Sequence, residues 1–224
     1  MNTNQQVVTG SAQTLPATNK LIRNTYTLLS MTLLFSALTA GASIAFQLPH
    51  PGLIITLVGY FGLLFLTHKL QNSAWGLAAV FALTGFMGLT LGPMVSAYLG
   101  LPNGGQVVMT ALAGTGVIFL GLSAYAIVTR KDFSFMAGFL LVGALVGFLA
   151  GIGALVFQLP GLSLAVSAMF VLISSGFILF QTSQLVNGGE NNYIMATVSL
   201  YVSIYNLFTS LLHLLGAFGG GNDD

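Results

Sequence analysis

Seven long apolar blocks, separated by short breaks rich in proline, glycine and asparagine, dominate the chain. They cover approximately residues 24–46, 52–68, 74–98, 105–129, 133–157, 161–186 and 191–216. A helix needs ~20 apolar residues to cross a hydrocarbon core about 30 Å thick, and the blocks approach or exceed that length. They are continuous rather than alternating, which disfavours a β-barrel. Charged residues make up only 4% of the chain, too few to cover a soluble domain of 224 residues. The sequence therefore predicts an all-α polytopic membrane protein with seven transmembrane helices.

The blocks divide the chain into three parts. Residues 1–19 are uncharged and rich in Thr, Asn and Gln, so we expect a disordered tail on the cytoplasmic side. Residues 20–216 form one seven-helix transmembrane domain, and residues 217–224 form a short outward-facing tail. The first block follows about twenty polar residues and has no small-residue cleavage site, so we do not interpret it as a removable signal peptide.

The distribution of basic residues predicts the orientation in the membrane. If the spans alternate, all five basic residues lie on one side: Lys20, Arg23, Lys69, Arg130 and Lys131. The positive-inside rule then places the N-terminus in the cytoplasm and the C-terminus outside. Asp132 is the expected partner of the neighbouring Arg130 and Lys131. A net charge of +1, with scattered basic residues, gives no indication of nucleic-acid binding.

Small residues and turns indicate how the helices pack. Gly88 and Gly92 in the third block, and Gly143, Gly147 and Gly151 in the fifth, have the GxxxG spacing that allows close helix packing, which we expect inside the bundle rather than at a dimer face. Pro93 should kink the third helix. The tetrapeptide FQLP occurs at 46–49 and 157–160, which we interpret as one turn used twice rather than as a repeated unit.

Polar residues form a stripe along each of the last two blocks. In the seventh block they follow spacings of seven, four, three, four and three: Asn192, Ser199, Ser203, Asn206, Ser210 and His213. In the sixth block a sparser set shares one face: Ser163, Ser167, Ser174 and Gln181. Because polar side chains facing lipid would have no partners, we expect both stripes to line the bundle interior. Two roles remain open, interhelical hydrogen bonding and a hydrated ion path.

The most polar internal stretch, QTSQLVNGGENNY at 181–193, lies where these two stripes meet. Glu190 either caps the seventh helix or attracts ions to the mouth of the seam. The spans carry no acidic residue, the sequence contains no HExxH motif, and GLSA at 121–124 matches a nucleophile turn incompletely. The three histidines have no ligand-like spacing, so we predict neither catalysis nor a metal or cofactor site.

Several segments together resemble the Bax inhibitor-1 family, and its bacterial YccA-like branch in particular. They are RNTYTLLSMTLLFSA (23–37), PGLIITLVGYFGLLFLTHK (51–69), TRKDFSF (129–135) and, most specifically, residues 173–216. The resemblance implies seven helices with the last one central. It also implies, for some members, a pH-sensitive calcium leak that uses an aspartate in each of the last two helices. Those positions align with Gln181 and Ser203, which do not titrate.

The YccA-like branch implies a different role, namely association with the membrane-anchored, ATP-driven protease FtsH and its HflK/HflC partners in membrane-protein quality control. We take this as the leading expectation, with localisation in the bacterial inner membrane. The alternative is a weak, pH-insensitive cation or calcium leak between the last two helices. The residues of that path would be Gln181, Glu190, Ser199, Ser203, Asn206 and Ser210.

Overall fold

A computed structural model describes residues 15–219 and contains seven long α-helices. They are α1 (Leu15–Ala45), α2 (Leu53–Leu70), α3 (Trp75–Leu99), α4 (Gly104–Thr129), α5 (Ala137–Val156), α6 (Pro160–Asn187) and α7 (Tyr193–Gly219), with a 3₁₀ turn (Ser134–Met136) before α5. The described residues include no strand, and each of the seven helices has the length and composition to cross a membrane. The predicted all-α, seven-helix architecture is confirmed.

The ends of two helices differ from the expected boundaries. α1 begins at Leu15, so residues 15–19 are helical although we expected them in the tail. Pro16 suits this first turn, because proline's fixed φ is already helical and its missing N–H would have no partner there. α7 continues to Gly219, into the segment that we expected to be a tail. The remainder of both expected tails, residues 1–14 and 220–224, lies outside the described residues.

α7 lies in the interior of the bundle. It contacts α1, α3, α4 and α6. Half of its apolar 18-residue window is buried (50%), similar to α3 (56%) and far above α2 (6%) and α5 (17%). α2 packs chiefly on α3, and α5 packs chiefly on α6. The largest buried cluster draws on several helices around α7 and includes Leu29, Leu83, Ile178 and Leu207. The prediction that the last helix is central therefore agrees with the packing.

Glycines bring α3 against α1, as their spacing predicts. A Cβ on Gly88 would overlap the Thr39 hydroxyl and the Ser36 carbonyl, and a Cβ on Gly92 would lie 2.5 Å from the Cβ of Ser43. On α5, a Cβ on Gly147 would come within 2.9 Å of the Phe170 ring of α6. Both glycine motifs thus serve packing within the bundle.

Pro93 leaves one backbone carbonyl of α3 without a helical donor, and a side chain of α1 supplies a donor instead. Proline has no N–H, so the Leu89 carbonyl one turn earlier loses its helical partner. The Ser43 hydroxyl of α1 donates a hydrogen bond to this carbonyl at 3.0 Å. α3 remains helical from Trp75 to Leu99, so the side chain of a neighbouring helix replaces the missing backbone donor inside the membrane.

The two FQLP copies adopt the same helix-ending turn. Gln47 and Gln158 have φ values of 51° and 50°, in the left-handed region. In each copy the following leucine N–H donates at 2.9 Å to the carbonyl five residues before it, Leu48 to Ser43 and Leu159 to Ala154. This is the Schellman pattern of a helix C-terminus. Because α1 packs on α3 whereas α5 packs on α6, the copies share a turn and not a repeated unit.

Candidate functional site

The stripes of α6 and α7 meet at Gln181 and Ser203. The Ser203 hydroxyl lies 3.2 Å from Gln181 Oε1 and 2.9 Å from the Ser199 carbonyl, so one proton serves two acceptors. Ser203 is buried, with 4% of its surface exposed, and Gln181 and Ser199 are half-buried. We call this region, together with the buried Ser210, the polar seam. Gln181 and Ser203 are therefore in contact, and they form a hydroxyl–amide pair without a titratable group.

A second hydrogen bond joins the same two helices toward the other end of the seam. His213 Nδ1 lies 2.7 Å from the Ser167 hydroxyl, which also lies 3.1 Å from the Ser163 carbonyl. If Ser167 donates to Ser163, His213 donates to Ser167 through Nδ1–H, and both acceptors are satisfied. Interhelical hydrogen bonding, one of the two roles left open by the sequence, thus occurs at two levels of the seam.

Asn206 belongs to a different environment from the rest of the stripe. It lines a cavity of 170 Å³ between α2, α3 and α7, together with Thr56, Tyr60, Thr90 and Tyr205. The residues of the predicted stripe therefore have two kinds of neighbour, with Ser203 in contact with α6 and Asn206 at this cavity.

The turn between α6 and α7 is a capping structure, and its polar side chains bind the backbone amides at the start of α7. Glu190 Oε1 accepts hydrogen bonds from the backbone amides of Asn191 and Asn192, each at 2.8 Å. Asn192 Oδ1 accepts the amides of Ile194 at 2.9 Å and Met195 at 3.2 Å. A carboxylate at this position also offsets the positive end of the α7 dipole. Asn192 is therefore the residue that caps α7, whereas Glu190 orders the turn just before the helix.

The same turn holds two other loops in place. The Asn192 side-chain amide donates to the Gln71 carbonyl at 3.2 Å and to Asn72 Oδ1 at 3.0 Å. The Lys131 carbonyl accepts from the Ser183 hydroxyl at 2.9 Å and from the Asn187 amide at 3.3 Å. Loops 71–74 and 188–192 are thus joined directly, and loop 130–133 is held to the last turns of α6, which lead into 188–192. We call the surface of these three loops the basic end, because Lys69, Arg130 and Lys131 lie in or beside them.

The expected pairing of Asp132 with Arg130 or Lys131 is wrong. Among the described residues, its carboxylate instead accepts the Ser134 hydroxyl and the Ser134 amide, the latter at 2.8 Å. These two hydrogen bonds, the hydroxyl first, hold the pKa of Asp132 below its usual value, so the carboxylate is ionised at neutral pH and the interaction weakens only in acid. The short Asp side chain reaches backbone two residues on, as in an Asx turn. The Lys131 ammonium lies 6.0 Å from the Tyr125 ring centre.

A third polar stripe, on α1, was not predicted from the sequence. Four buried residues follow spacings of seven, four and seven: Thr25, Thr32, Ser36 and Ser43. The Ser36 hydroxyl lies 2.6 Å from the Tyr201 hydroxyl, which donates to the Thr84 carbonyl of α3 at 3.3 Å. Tyr201 is 1% exposed, so this network joins three helices in the centre of the bundle. The helical periodicity that identified the α7 stripe would have found this one.

A further cross-helix contact lies nearer the basic end. Thr182 of α6 has its hydroxyl 3.3 Å from the Tyr26 hydroxyl of α1 and 3.4 Å from the Ser123 hydroxyl of α4. In the part of the chain that the structure describes, no three His, Asp or Glu side chains form a group that could hold a metal ion. The polar groups along the seam are hydroxyls and the Gln181 amide, with the His213 imidazole toward one end.

Comparison with known proteins identifies the family. The family model described as "Inhibitor of apoptosis-promoting Bax1" matches residues 18–220, nearly the whole chain. The chain belongs to the Bax inhibitor-1 family. Within the family, it is 54% identical over 200 residues to the "Modulator of FtsH protease YccA" of Escherichia coli K12, covering 89% of this chain and 91% of the relative. The corresponding protein of a second Escherichia coli strain, with the same identity and coverage, is named "Inner membrane protein YccA".

Two other members of the Bax inhibitor-1 family have names that give no activity. An uncharacterized protein of Pseudomonas aeruginosa is 58% identical over 200 residues, covering 89% of this chain and 90% of the relative. An uncharacterized membrane protein of Vibrio cholerae is 46% identical over 217 residues, covering 96% and 97%. The resemblance to the YccA-like branch is thereby confirmed along almost the full length.

Proposed function

We propose that this protein binds the membrane-bound protease FtsH and restrains its degradation of membrane proteins. The identity of 54% to a protein named as a modulator of FtsH, across about nine-tenths of both chains, carries this proposal. The proposed setting is the bacterial inner membrane, with HflK and HflC in the same assembly and the N-terminus in the cytoplasm. The five basic residues on one side support that orientation through the positive-inside rule.

The contact surface that we propose is the basic end. Asn192 joins two of its loops, and Ser183 at the end of α6 holds the third through the Lys131 carbonyl, so the loops present a defined surface rather than three independent segments. Under the proposed orientation this surface faces the cytoplasm, together with the segment before Leu15. A preorganised surface loses less conformational entropy on binding, which favours association.

Co-purification and degradation assays test the proposal directly. FtsH should co-purify with the chain from native membranes, and proteoliposomes that contain both proteins should degrade an FtsH membrane substrate more slowly than those with FtsH alone. Deleting residues 2–14 leaves α1 intact, because the helix begins at Leu15, and separates a role of that segment from a role of the loops. An absence of co-purification together with an unchanged degradation rate would reject the proposal.

A matched pair of variants tests the surface. Asn192→Ala removes the hydrogen bonds to Gln71 and Asn72 and one cap of α7, and should weaken inhibition. Asn103→Ala changes the same residue type at the opposite end of the bundle, where Asn103 makes no side-chain cap bond to α4, and should have no effect. Equal inhibition by both variants would move the contact away from the basic end.

The polar seam supports a second candidate, a weak cation or calcium leak. The contact between Gln181 and Ser203 and the cavity beside Asn206 place uncharged oxygen atoms inside the membrane. Flux into liposomes loaded with a calcium dye should then exceed that of empty vesicles, should not depend on pH, and should decrease in Ser203→Leu. A Gln181→Asp/Ser203→Asp variant would create two neighbouring carboxylates and make the flux pH-dependent. Flux equal to that of empty vesicles would eliminate this candidate.

A further inference from the structure

A groove opens sideways between α1 and α4 and has α7 as its floor. It has a volume of about 440 Å³ and runs along α1 from Leu33 to Ile44 and along α4 from Val108 to Phe119. Its floor is formed by Tyr201, Ile204, Tyr205 and Phe208. Toward the basic end it is closed where the Tyr26 and Phe119 rings approach to 6.1 Å. The groove therefore lies in the half of the membrane in which α1 ends.

The rim of the groove is open to the bilayer. Leu112 of α4 is 51% exposed, and Ala37 and Gly41 of α1 are also exposed. Gly41 of α1 and Gly116 of α4 both line the groove, and a Cβ built on either would meet no atom within 4 Å. Small residues on both walls thus keep open a space that larger side chains would fill.

The length and the lining of the groove suit a hydrocarbon chain. Eleven residue steps along α1 at 1.5 Å each give a length of about 16 Å, close to the roughly 15 Å of one leaflet's hydrocarbon. The walls of the groove are almost entirely apolar, so they offer a bound chain dispersion contacts and few hydrogen bonds.

The outer end of the groove adjoins a polar cavity. Ile44 lines both spaces, and the second, also about 440 Å³, is lined by Gln47, His50 and Ser96 among others. His50 Nδ1 accepts the Gly52 amide at 3.0 Å, so in the neutral ring Nε2 carries the proton and can donate to an anionic oxygen. The apolar groove and the polar cavity lie one after the other toward the membrane surface, in the same order as the acyl chain and the headgroup of a phospholipid.

From these observations we propose that the groove binds one acyl chain of a glycerophospholipid from the leaflet where α1 ends, with the phosphate at His50 and Gln47. The lipid enters sideways, past Gly41 and Leu112, and its chain covers the aromatic floor. This site is separate from the polar seam and does not depend on the proposed action on FtsH.

Photochemical labelling tests the site. The full chain is reconstituted in phosphatidylethanolamine and phosphatidylglycerol vesicles that contain a trace of phosphatidylethanolamine with a diazirine on one acyl chain, and labelled peptides are mapped after illumination. Label should concentrate on groove segments 33–44 and 108–119 relative to the exposed face of α5. Label distributed evenly over all lipid-facing helices would overturn the proposal. The finding that a segment of a co-purified protein occupies the groove in native membranes would also overturn it.

Filling the groove gives a matched comparison. Gly41→Leu/Gly116→Leu should lower groove labelling about tenfold, because the added side chains occupy the space in which at least two lipid methylenes would be buried. Gly62→Leu/Gly138→Leu makes the same change at exposed glycines whose Cβ also meets no atom within 4 Å, away from the groove, and should leave labelling unchanged. If the double variant is not monodisperse, either single variant should lower labelling about threefold. Equal labelling of groove and control variants would contradict the proposal.

His50→Ala tests the headgroup part separately. It should lower labelling by the diazirine phospholipid, yet leave unchanged the labelling by a diazirine fatty alcohol that lacks phosphate. If both probes lose label equally, His50 does not contact the phosphate and the headgroup assignment is wrong.

Discussion

α7 and α5 are both long enough to cross the membrane, yet they are built in opposite ways. α5 is the more apolar of the two, and only 17% of its most apolar window is buried in the protein. α7 carries Ser199, Ser203, Asn206 and Ser210, and 50% of the corresponding window is buried. In water the more apolar helix would be the interior one. In a bilayer the lipid accepts apolar side chains at no cost, so polar groups decide which helix goes inside.

Truncation of an apolar side chain should give the largest difference in stability between variants of α7 and variants of α5. Leu207→Ala in α7 removes a side chain that is 0% exposed and should lower the free energy of unfolding by about 2–5 kcal/mol, because the surrounding helices leave a cavity. Leu145→Ala in α5 removes one that is 55% exposed, where lipid fills the space, and should cost less than about 1 kcal/mol. Unfolding in mixed detergent–SDS micelles measures both. Equal losses would mean that α5 is as enclosed as α7.

Removal of a single hydroxyl from the Tyr201 network should have the next largest effect on stability. Tyr201→Phe removes the bond to Ser36 and leaves that hydroxyl buried, so it should lower the free energy of unfolding by about 1–2 kcal/mol. Tyr125→Phe, at a tyrosine that is 44% exposed, should change it by less than about 0.5 kcal/mol. In a double-mutant cycle, Ser36→Ala should reduce the effect of Tyr201→Phe. Additive effects would show that the two hydroxyls do not interact.

The smallest expected effect is a gain in the free energy of unfolding rather than a loss. The Thr25 hydroxyl is buried and has no hydrogen-bond partner within residues 15–219, so Thr25→Val should be neutral or raise the free energy of unfolding by up to about 1 kcal/mol. Thr32, on the same face of α1, donates to the Leu29 carbonyl at 2.9 Å, so Thr32→Val should be neutral or slightly destabilising. A clear loss of stability in Thr25→Val would indicate a partner for that hydroxyl in the membrane.

Much of the architecture follows from the sequence, because length, hydropathy and periodicity are local properties. Seven helices, the interior position of α7, the packing glycines and the shared FQLP turn are examples. The start of α1 was misplaced, because residues 15–23 include polar side chains and a count of apolar residues detects the membrane span rather than the whole helix. Hydropathy gave no indication that α2 would be a peripheral helix, because α2 is as apolar as α3, which is largely buried.

The polar contacts were harder to predict. The meeting of Gln181 with Ser203 agrees with the two stripes, but the division of the α7 stripe between α6 and the cavity at Asn206 depends on where α2 and α3 lie. The Tyr201 network joins residues 165 and 117 positions apart, and a tyrosine in an apolar run gives no sign of its partners. Asp132 misled the prediction because neighbouring charges suggested an ion pair, whereas a nearer hydroxyl and amide satisfy it.

The central claim is that the polar face of α7 lies inside the protein. The chain has no cysteine, so single cysteines at Ser203 and Ser210 of α7, and at Val142 and Leu149 of α5, can each carry a spin label. Collision with oxygen, which concentrates in the hydrocarbon, reports contact with lipid. The account predicts low oxygen accessibility at 203 and 210 and high accessibility at 142 and 149. High accessibility at 203 and 210, equal to that on α5, would contradict the arrangement from which the seam and the interior position of α7 were inferred.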